Sequence, residues 1–261
     1  MTRPLIALLT DFGQTDTYVG VMKGVMRSIC PEADFIDLTH GVRPQAVAQA
    51  AFLLSVSVPH FPHGTVFLSV VDPGVGSDRA ALAARVGEHL FVAPDNGLLS
   101  MVWREDAEAH SLIRSEYRLP QVSATFHGRD IFAPAAAHLA AGVSLANLGP
   151  RVAEIERLAL AHPSPVSATI LRGAVVHIDH FGNLVTNIRT GDLAPALRAS
   201  RITVQTGGAE ITGLRVTYSE ANEGELLAHW GSSGHLEIAV RGGCASGRLA
   251  VDIGEPVLVR W

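Results

Sequence analysis

Short apolar runs alternate with stretches of helical periodicity over about the first 160 residues of the chain. The helical stretches, Tyr18–Ser28 and Ala46–Val58, are rich in Ala, Leu, Val and Met. The apolar runs are nearly continuous, as is typical of strands that are covered on both faces. They lie at Leu5–Leu9, Phe35–Leu38, Val66–Val71 and Leu90–Ala93. This order of elements predicts an α/β N-terminal domain with a largely parallel sheet.

A different pattern begins after residues 161–165, whose two prolines indicate a linker. Apolar and polar residues then alternate in short segments separated by glycines, which is typical of a small β-barrel or β-sandwich. The segments are Ile170–Ile178, Ile202–Val204, Leu214–Thr217, Leu236–Val240 and Val257–Val259. We therefore predict an α/β domain over residues 1–162 and a smaller all-β, barrel-like domain over residues 168–261.

The composition is that of a compact globular protein, because 48% of the residues are hydrophobic and only 17% are charged. The net charge of −5 argues against nucleic acid or an anionic membrane as a partner. No apolar run approaches the roughly 20 residues that span a bilayer, and the first residues lack the layout of a signal peptide. The two cysteines, Cys30 and Cys244, are far apart in the chain, so we expect no structural disulfide and a cytoplasmic protein.

Polar clusters follow the first and third predicted strands, at the edge where parallel sheets bind their ligands. Asp11 follows the first strand, where a carboxylate can accept both hydroxyls of a ribose, whereas Asp16 is equally explained as a helix cap. Asp72 follows the third strand, and Arg79 comes after two further glycines. These two residues form either the ends of a glycine-lined pocket or a surface ion pair. A phosphate-binding loop is disfavoured, because Arg79 replaces the third glycine of a dinucleotide fingerprint.

Three further clusters contain candidate functional residues. His127 precedes an Ala-rich helical stretch and is either a site residue or, as is usual for a lone histidine, a buried core residue. Asp95 lies in a Pro-Asp-Asn-Gly sequence that predicts a structural turn. In the second domain we favour a clamp for a ligand ammonium at Asp179 and Asn183. A metal site that includes His177 is disfavoured, because no third ligand has a suitable spacing.

Taken together, these segments resemble the adenosine-forming S-adenosyl-L-methionine (SAM) hydrolases, also called SAM hydroxide adenosyltransferases. This family is related to the enzymes that fluorinate or chlorinate the same substrate. The resemblance covers nearly the whole chain. Its markers occur in this order: Thr10-Asp11-Phe12-Gly13, Tyr18-Val19-Gly20-Val21-Met22-Lys23-Gly24, Asp37-Leu38-Thr39-His40, Val71-Asp72-Pro73-Gly74-Val75-Gly76, Pro94-Asp95-Asn96-Gly97, Phe126-His127-Gly128-Arg129-Asp130, Asp179 with Phe181-Gly182-Asn183, and Leu236-Glu237-Ile238-Ala239.

The resemblance implies functional residues in both domains. In the N-terminal domain it implies a water-activating triad, with a fourth residue at the ribose hydroxyls: Asp72, Arg79 and His127, with Asp11. In the C-terminal domain it implies these substrate contacts: Asp179 and Asn183 to the methionine amino group, Phe181 as their apolar neighbour, Ser232 to the methionine carboxylate, and the backbone at Val240 and Gly242 to the adenine. Ser233 stands where some relatives have an arginine.

The reaction that the resemblance implies is hydrolysis of SAM to adenosine and L-methionine, by attack of activated water or hydroxide on the ribose 5′-carbon. It implies an enzyme without a metal or other cofactor. It also implies a homotrimer with sites between the N-terminal domain of one subunit and the C-terminal domain of the next. Two alternatives stay open: a SAM-dependent halogenase that uses chloride or fluoride, and a non-catalytic protein that binds SAM or adenosine.

Overall fold

The computed structural model describes residues 3–194 and 201–261, which form two compact units that divide between Leu158 and Ala159. The strands of the first unit are β1 (Leu5–Thr10), β2 (Asp34–Thr39), β3 (Val66–Val70), β4 (Ala81–Val86), β5 (His89–Pro94), β6 (Glu108–Ser111) and β7 (Arg151–Val152). Its α-helices are α1 (Tyr18–Ile29), α2 (Val47–Ser57), α3 (Ala133–Ala140) and α4 (Leu145–Leu148). Its other helical turns are 3-10 turns at Val58–His60 and Ser115–Tyr117 and a π-helical turn at Gly128–Phe132.

The sheet of the first unit is mixed, with the strand order β2-β1-β3-β5-β4-β6-β7. The pairs β1–β2, β1–β3 and β3–β5 are parallel, whereas β4–β5, β4–β6 and β6–β7 are antiparallel. The prediction of a largely parallel sheet is therefore wrong. A two-residue turn, Gly87-Glu88, joins β4 to β5. So short a connection permits only an antiparallel hairpin.

Different helices cover the two faces of this sheet, because side chains alternate between the faces along each strand. Ile6 and Leu8 of β1 pack in one core with Met22 of α1 and with residues of α3. Leu9 of β1 packs in a second core with Leu54 of α2. The double coverage produces the continuous apolar runs from which the strands were predicted. The four predicted strands and two predicted helices of this unit are confirmed, each end within one residue.

The strands of the second unit form a barrel-like sheet. They are β8 (Ser164–Ser167), β9 (Ile170–Ile178), β10 (Leu184–Arg189), β11 (Thr203–Thr206), β12 (Ala209–Thr212), β13 (Leu226–Trp230), β14 (His235–Val240) and β15 (Pro256–Arg260), with helix α5 (Ala245–Leu249) and 3-10 turns at Thr190–Leu193 and Tyr218–Glu220. Their pairings are antiparallel, in the order β12-β11-β15-β9-β10-β14-β13 with β8 on β9. The end strands β12 and β13 approach each other and nearly close the sheet. The predicted smaller all-β, barrel-like domain is confirmed.

Some details of the second unit differ from the sequence pattern. The strand predicted at Leu214–Thr217 is wrong, because with the rest of the described chain that segment makes a single isolated bridge, from Arg215 to His229. Ser164 and Pro165 of the predicted linker lie in strand β8. Among the described strands β8 pairs with β9 alone, so it can tolerate a proline. Across the described residues, every helix is too short or too polar to cross a membrane.

Candidate functional site

A loop between β3 and β4 brings Asp72 and Arg79 into contact. Arg79 Nη2 donates a hydrogen bond to Asp72 Oδ2 at 2.6 Å. The loop requires glycine at residue 76, because its φ is +80° and a Cβ there would lie 2.5 Å from the Ala124 carbonyl oxygen. Gly76 therefore lets the loop pack against the segment that leads to His127.

His127 lies immediately before the π-helical turn and contacts the same guanidinium. Arg79 Nη2 is 3.1 Å from His127 Nδ1. A guanidinium only donates hydrogen bonds, so Nδ1 of His127 accepts, and the neutral ring carries its proton on Nε2. The guanidinium also lies over the ring of Phe132, 5.3 Å from its centroid. Arg79 thus holds the Asp72 carboxylate and the His127 ring in a fixed arrangement, which we call the triad.

Burial determines the protonation chemistry of the triad. The side chains of Asp72 and Arg79 are 5% and 8% exposed, so the two residues do not form a surface ion pair. Burial raises the pKa of Asp72, although Arg79 opposes this shift. Burial, followed by the charge of Arg79, lowers the pKa of His127. Asp72 Oδ1 is buried and has no hydrogen-bond partner among the described residues, so it can accept a hydrogen bond or a proton from a ligand.

A cavity of about 390 Å³ lies beside Asp72 and His127 and extends to Asp11. Asp11 Oδ2 accepts a hydrogen bond from the backbone nitrogen of Gln45 at 2.8 Å. Part of the wall consists of three aromatic rings in edge contact, with centroids 5.2–6.0 Å apart: Phe12, Tyr18 and Phe126. Residues predicted from three separate motifs therefore line one cavity.

A polar network among residues of three family markers supports the end of β1 next to Asp11, and its contacts were not predicted from the sequence. Thr10 Oγ1 lies 2.9 Å from His40 Nδ1, and His40 Nε2 lies 3.1 Å from Asp37 Oδ1. Lys23 Nζ donates to Asp37 Oδ2 at 2.7 Å. Asp37 and His40 could have been predicted to lie near Asp11, because β1 and β2 are parallel and end at the same edge of the sheet.

Two predictions about turns have different outcomes. In the Pro-Asp-Asn-Gly segment the chain bends over residues 95–97, directly after β5, and Asn96 Nδ2 donates to the Val71 carbonyl at 2.9 Å. This bond ties the turn to the residue before Asp72. The helix cap considered for Asp16 is wrong, because the N-cap of α1 is Thr17, which makes no side-chain capping bond.

In the second unit, Asp179 and Asn183 belong to one tight loop between β9 and β10. Asp179 Oδ1 accepts from the backbone nitrogens of Phe181 and Asn183 at 2.9 and 2.8 Å. Asp179 Oδ2 accepts from Asn183 Nδ2 at 2.8 Å. The Asp179 carboxylate therefore organises the loop from within. Phe181 is 72% exposed and presents an apolar surface outside the loop.

The other predicted contacts of the second unit lie at the two ends of β14. Ser232 is exposed in the turn before the strand, Val240 is its buried last residue, and Gly242 follows with a φ of +66°. In the described part of the chain, no hydrogen bond joins Ser232 or Gly242 to the loop of Asp179. The segment that follows Gly242 nevertheless packs against this loop, because the Ser246 backbone nitrogen donates to the Gly182 carbonyl at 2.9 Å.

Two further observations restrict the candidate site. In the described ranges, no group of three or more His, Cys, Asp or Glu side chains is arranged to hold a metal ion. A larger groove of about 720 Å³ lies at Trp103, Arg104 and Arg151, and it contains none of the predicted site residues. The candidate catalytic residues, Asp72 and His127, line the smaller cavity of about 390 Å³.

Gly182, in the loop of Asp179, is a position where we expect substitution to be costly. Its φ is +83°, and a Cβ there would overlap Cys244 Sγ and lie 3.2 Å from Ser246 Oγ. Gly182→Ala combines backbone strain with overpacking, and we expect it to lower the free energy of unfolding by roughly 2–4 kcal/mol. Chemical denaturation of the purified variant measures this loss.

Gly208→Ala is the matched control, because it adds the backbone strain without the clash. Gly208 has a φ of +74° and no atom within 4 Å of an added Cβ. We expect a loss of only about 1 kcal/mol for this variant. If the two variants lost the same free energy of unfolding, contact with Cys244 would not restrict the loop of Asp179.

Comparison with known proteins identifies relatives along nearly the whole chain. Residues 6–149 match the SAM hydroxide adenosyltransferase N-terminal domain, and residues 173–258 match the C-terminal domain of the same family. An (R)-S-adenosyl-L-methionine hydrolase from Thermus thermophilus is 39% identical over 97% of this chain and 98% of its own length. A fluorinase from Nocardia brasiliensis is 34% identical over 91% of this chain and 90% of its own.

A solved structure also matches the fold closely. The crystal structure of an uncharacterized conserved protein from Thermotoga maritima superposes with a TM-score of 0.91 at 38% sequence identity. The match covers 98% of this chain and all of that one.

Proposed function

We propose that this chain, which belongs to the SAM hydroxide adenosyltransferase family, hydrolyses SAM to adenosine and L-methionine. The family resemblance predicted from the motifs is confirmed by the matches to both domains. The observation that carries the proposal is the cavity where Asp72 and His127, both held by Arg79, meet Asp11. This cavity combines a proton acceptor, Asp72, with a second carboxylate, Asp11, that can bind the hydroxyls of a ribose.

The nucleophile of the proposed reaction is a water molecule held by Asp72 and His127. Because His127 Nδ1 is engaged by Arg79, the ring offers Nε2–H, which donates to the water oxygen. Asp72 Oδ1 accepts no hydrogen bond from the residues that the structure describes, and it takes the proton. The raised pKa of Asp72 makes it a stronger base than an ordinary carboxylate. We therefore assign proton acceptance to Asp72 and orientation of the water to His127.

The rest of the proposed reaction follows from the charge of the substrate. The sulfonium makes the ribose 5′-carbon electrophilic, and the carbon–sulfur bond breaks as the water oxygen attacks. Methionine leaves as a neutral thioether, so its departure needs no acid, metal or redox cofactor. Arg79 stabilises the negative charge that develops on the attacking oxygen, and Asp11 fixes the ribose in line with it.

A halide-transfer reaction is less compatible with this cavity, although fluorinases are among the relatives. A halide nucleophile needs no proton acceptor. The Asp72 carboxylate would also repel an anion that shares the cavity. We therefore favour water as the nucleophile.

The test is incubation of the purified protein with SAM in oxygen-labelled water, followed by mass spectrometry of the products. We expect the label in the 5′-hydroxyl of adenosine, with L-methionine formed in equal amount. Unchanged SAM would contradict the proposal and leave a binding protein. A halogenated nucleoside formed only with added halide would favour the alternative.

The substrate form is a finer part of the proposal. The Thermus thermophilus and Salinispora tropica relatives are named as hydrolases of (R)-S-adenosyl-L-methionine. We propose the same sulfonium epimer for this chain. Separate assays of the two epimers should show faster consumption of the (R) form.

Other parts of the resemblance stay predictions. They are the substrate contacts of Asp179, Phe181, Asn183, Ser232, Val240 and Gly242, the homotrimer and the cytoplasmic setting. Light scattering after size exclusion tests the trimer, for which the expected mass is that of three chains. A monomer would contradict it.

A further inference from the structure

His40, which follows β2, contacts the chain on both sides of Asp11. Its ring reaches the residue before Asp11, because His40 Nδ1 lies 2.9 Å from Thr10 Oγ1. Its backbone carbonyl accepts a hydrogen bond from the Gly13 nitrogen at 2.8 Å. His40 is only 4% exposed, so water competes little for these contacts. The turn that carries Asp11 is therefore held at both of its ends by one buried residue.

Asp37 determines which nitrogen of the His40 ring carries the proton. Lys23 Nζ donates to Asp37 Oδ2 at 2.7 Å, and His40 Nε2 lies 3.1 Å from Asp37 Oδ1. Burial by itself would raise the pKa of Asp37, but the contacts with Lys23 and His40 outweigh it and lower this pKa. A lone pair on Nε2 would face the ionised carboxylate. In the neutral ring Nε2 therefore carries the proton, and Nδ1 is an acceptor.

This tautomer orients the hydroxyl of Thr10. Because Nδ1 of His40 accepts, the Thr10 hydroxyl donates its proton to the ring. The lone pairs of Thr10 Oγ1 then remain for the backbone nitrogen of Phe12, which donates to this oxygen at 3.2 Å. A chain of polar contacts thus runs from the Asp37 carboxylate to the peptide that directly follows Asp11.

A register shift between β1 and β2 brings Asp37 and His40 together. Leu8 of β1 lies opposite Asp37, but Leu9 lies opposite Thr39, so β2 has one extra residue at this point. Side chains three residues apart point to opposite faces of a regular strand. An extra residue reverses that alternation, as in a β-bulge, and such irregularities are frequent next to active sites. The shift therefore serves the contact between the carboxylate and the ring.

The segment that follows His40 binds the Asp11 carboxylate directly. Asp11 Oδ2 accepts from the Gln45 backbone nitrogen at 2.8 Å, and Gln45 has a φ of +66°, which is costly for a residue with a side chain. The Arg43 nitrogen, two residues earlier, donates to the buried Gln49 Oε1 at 2.9 Å. A carboxylate has about four acceptor positions, so this contact orients Asp11 and leaves capacity for two ligand hydroxyls.

We propose that His40, with its ring oriented by Asp37, is a positioning residue that holds Asp11 and thereby determines the preference for a ribose over a 2′-deoxyribose. This inference rests on the proposed function, in which Asp11 binds the ribose hydroxyls of SAM. A hydrogen bond from a hydroxyl to a carboxylate favours the ribose only when the carboxylate is held in the correct place.

The experiment compares kcat/KM for SAM with kcat/KM for its 2′-deoxyribose analogue in two variants of His40. Glutamine extends to the position of Nε2 and loses the acceptor for Thr10, whereas asparagine can place an amide oxygen where Nδ1 lies. We expect His40→Gln to lower the preference for SAM over the analogue roughly tenfold. His40→Asn should keep a preference close to that of the wild type.

Asp37→Leu tests the same contacts from a more exposed position, in case variants of the buried His40 do not fold. The Asp37 side chain is 42% exposed, and its loss frees the ring to adopt either tautomer. We expect the preference for SAM to fall in this variant as well. Asp34→Leu makes the same change at the other end of β2, where the side chain is 50% exposed, and should leave the preference unchanged.

The preference for the ribose separates positioning of Asp11 from a merely structural role. An equal fall of kcat/KM for both substrates in the folded variants, or no change for either, would overturn the inference. So would a wild-type protein that hydrolyses both substrates equally well. If the wild type hydrolyses neither, the proposed function fails, and calorimetric binding of adenosine and 2′-deoxyadenosine decides the inference. A preference for adenosine that His40→Gln or Asp37→Leu abolishes supports it, and the absence of such a preference overturns it.

Discussion

Asp72→Asn is expected to lower kcat for SAM hydrolysis by about 10²–10⁴-fold, the usual contribution of a general base. The amide keeps an oxygen that can accept the hydrogen bond from Arg79, but it cannot take a proton from water. The buried Oδ1 of Asp72, which has no hydrogen-bond partner in the described ranges, is the proposed proton acceptor. Steady-state kinetics at saturating SAM measure the effect, which should appear in kcat more than in KM.

Asp78→Asn is the control, because it makes the same change at an exposed carboxylate of the same loop. Its kcat should equal that of the wild type. Thermal denaturation should show both variants folded at the assay temperature. If Asp72→Asn retained the wild-type kcat while folded, Asp72 would have no part in proton transfer.

Arg79→Met is expected to lower kcat by about 10²–10³-fold, as for loss of one electrostatic contact to the transition state. It should also lower the free energy of unfolding by about 3–5 kcal/mol, because Asp72 keeps a buried charge without its partner. Assays at a temperature where the variant is folded separate the two effects. Arg85→Met, which removes an exposed cation from β4, should leave kcat unchanged.

The pH dependence of Arg79→Met provides a second measurement. In the wild type, burial and then Arg79 lower the pKa of His127, so the neutral ring persists below the pH at which an ordinary histidine is protonated. Arg79 also lowers the pKa of Asp72, against the larger effect of burial. Without Arg79 the pKa values of Asp72 and His127 both rise, so at a given pH more of each residue is protonated. The active form, in which Asp72 is ionised and His127 is neutral, is then less populated.

We therefore expect the acid limb of the kcat/KM profile to move to higher pH in Arg79→Met. Loss of Arg79 raises the pKa of Asp72 and the pKa of His127. The acid limb therefore moves to higher pH whichever of the two residues controls it. A shift to lower pH would contradict the assignment of Arg79 as the cation next to the reacting groups.

Much of the first unit could be predicted from sequence, because its strands and helices have strong local patterns. β1, β3 and β5 are apolar runs bounded by polar turns, and their ends are confirmed within one residue. The positions of Asp11 and Asp72 followed from the rule that ligands bind at the carboxyl ends of strands. Strand β4 was not predicted, so the antiparallel pairings that make the sheet mixed were not predicted either.

The second unit was predicted less completely. Glu237 appears in the sequence as one polar residue in a strand, which by itself indicates only an exposed face. Its burial, its position opposite His229 and the charge of Asp179 on it depend on how four strands pair. No local pattern contains that information.

Sequence patterns were sufficient to predict the alternating strands and helices of the first unit, the change to a barrel-like β-domain, and the candidate residues Asp11, Asp72 and His127. Those features depend on residue type and on how apolar and polar residues alternate, and both can be read from a short stretch of sequence. Three arrangements depend on tertiary packing instead. One guanidinium joins Asp72 to His127, the Asp179 carboxylate accepts three hydrogen bonds within its own loop, and Glu237 lies opposite His229. Contacts between residues far apart in the chain arise only when strands pair and loops pack, so they could not be read from the pattern.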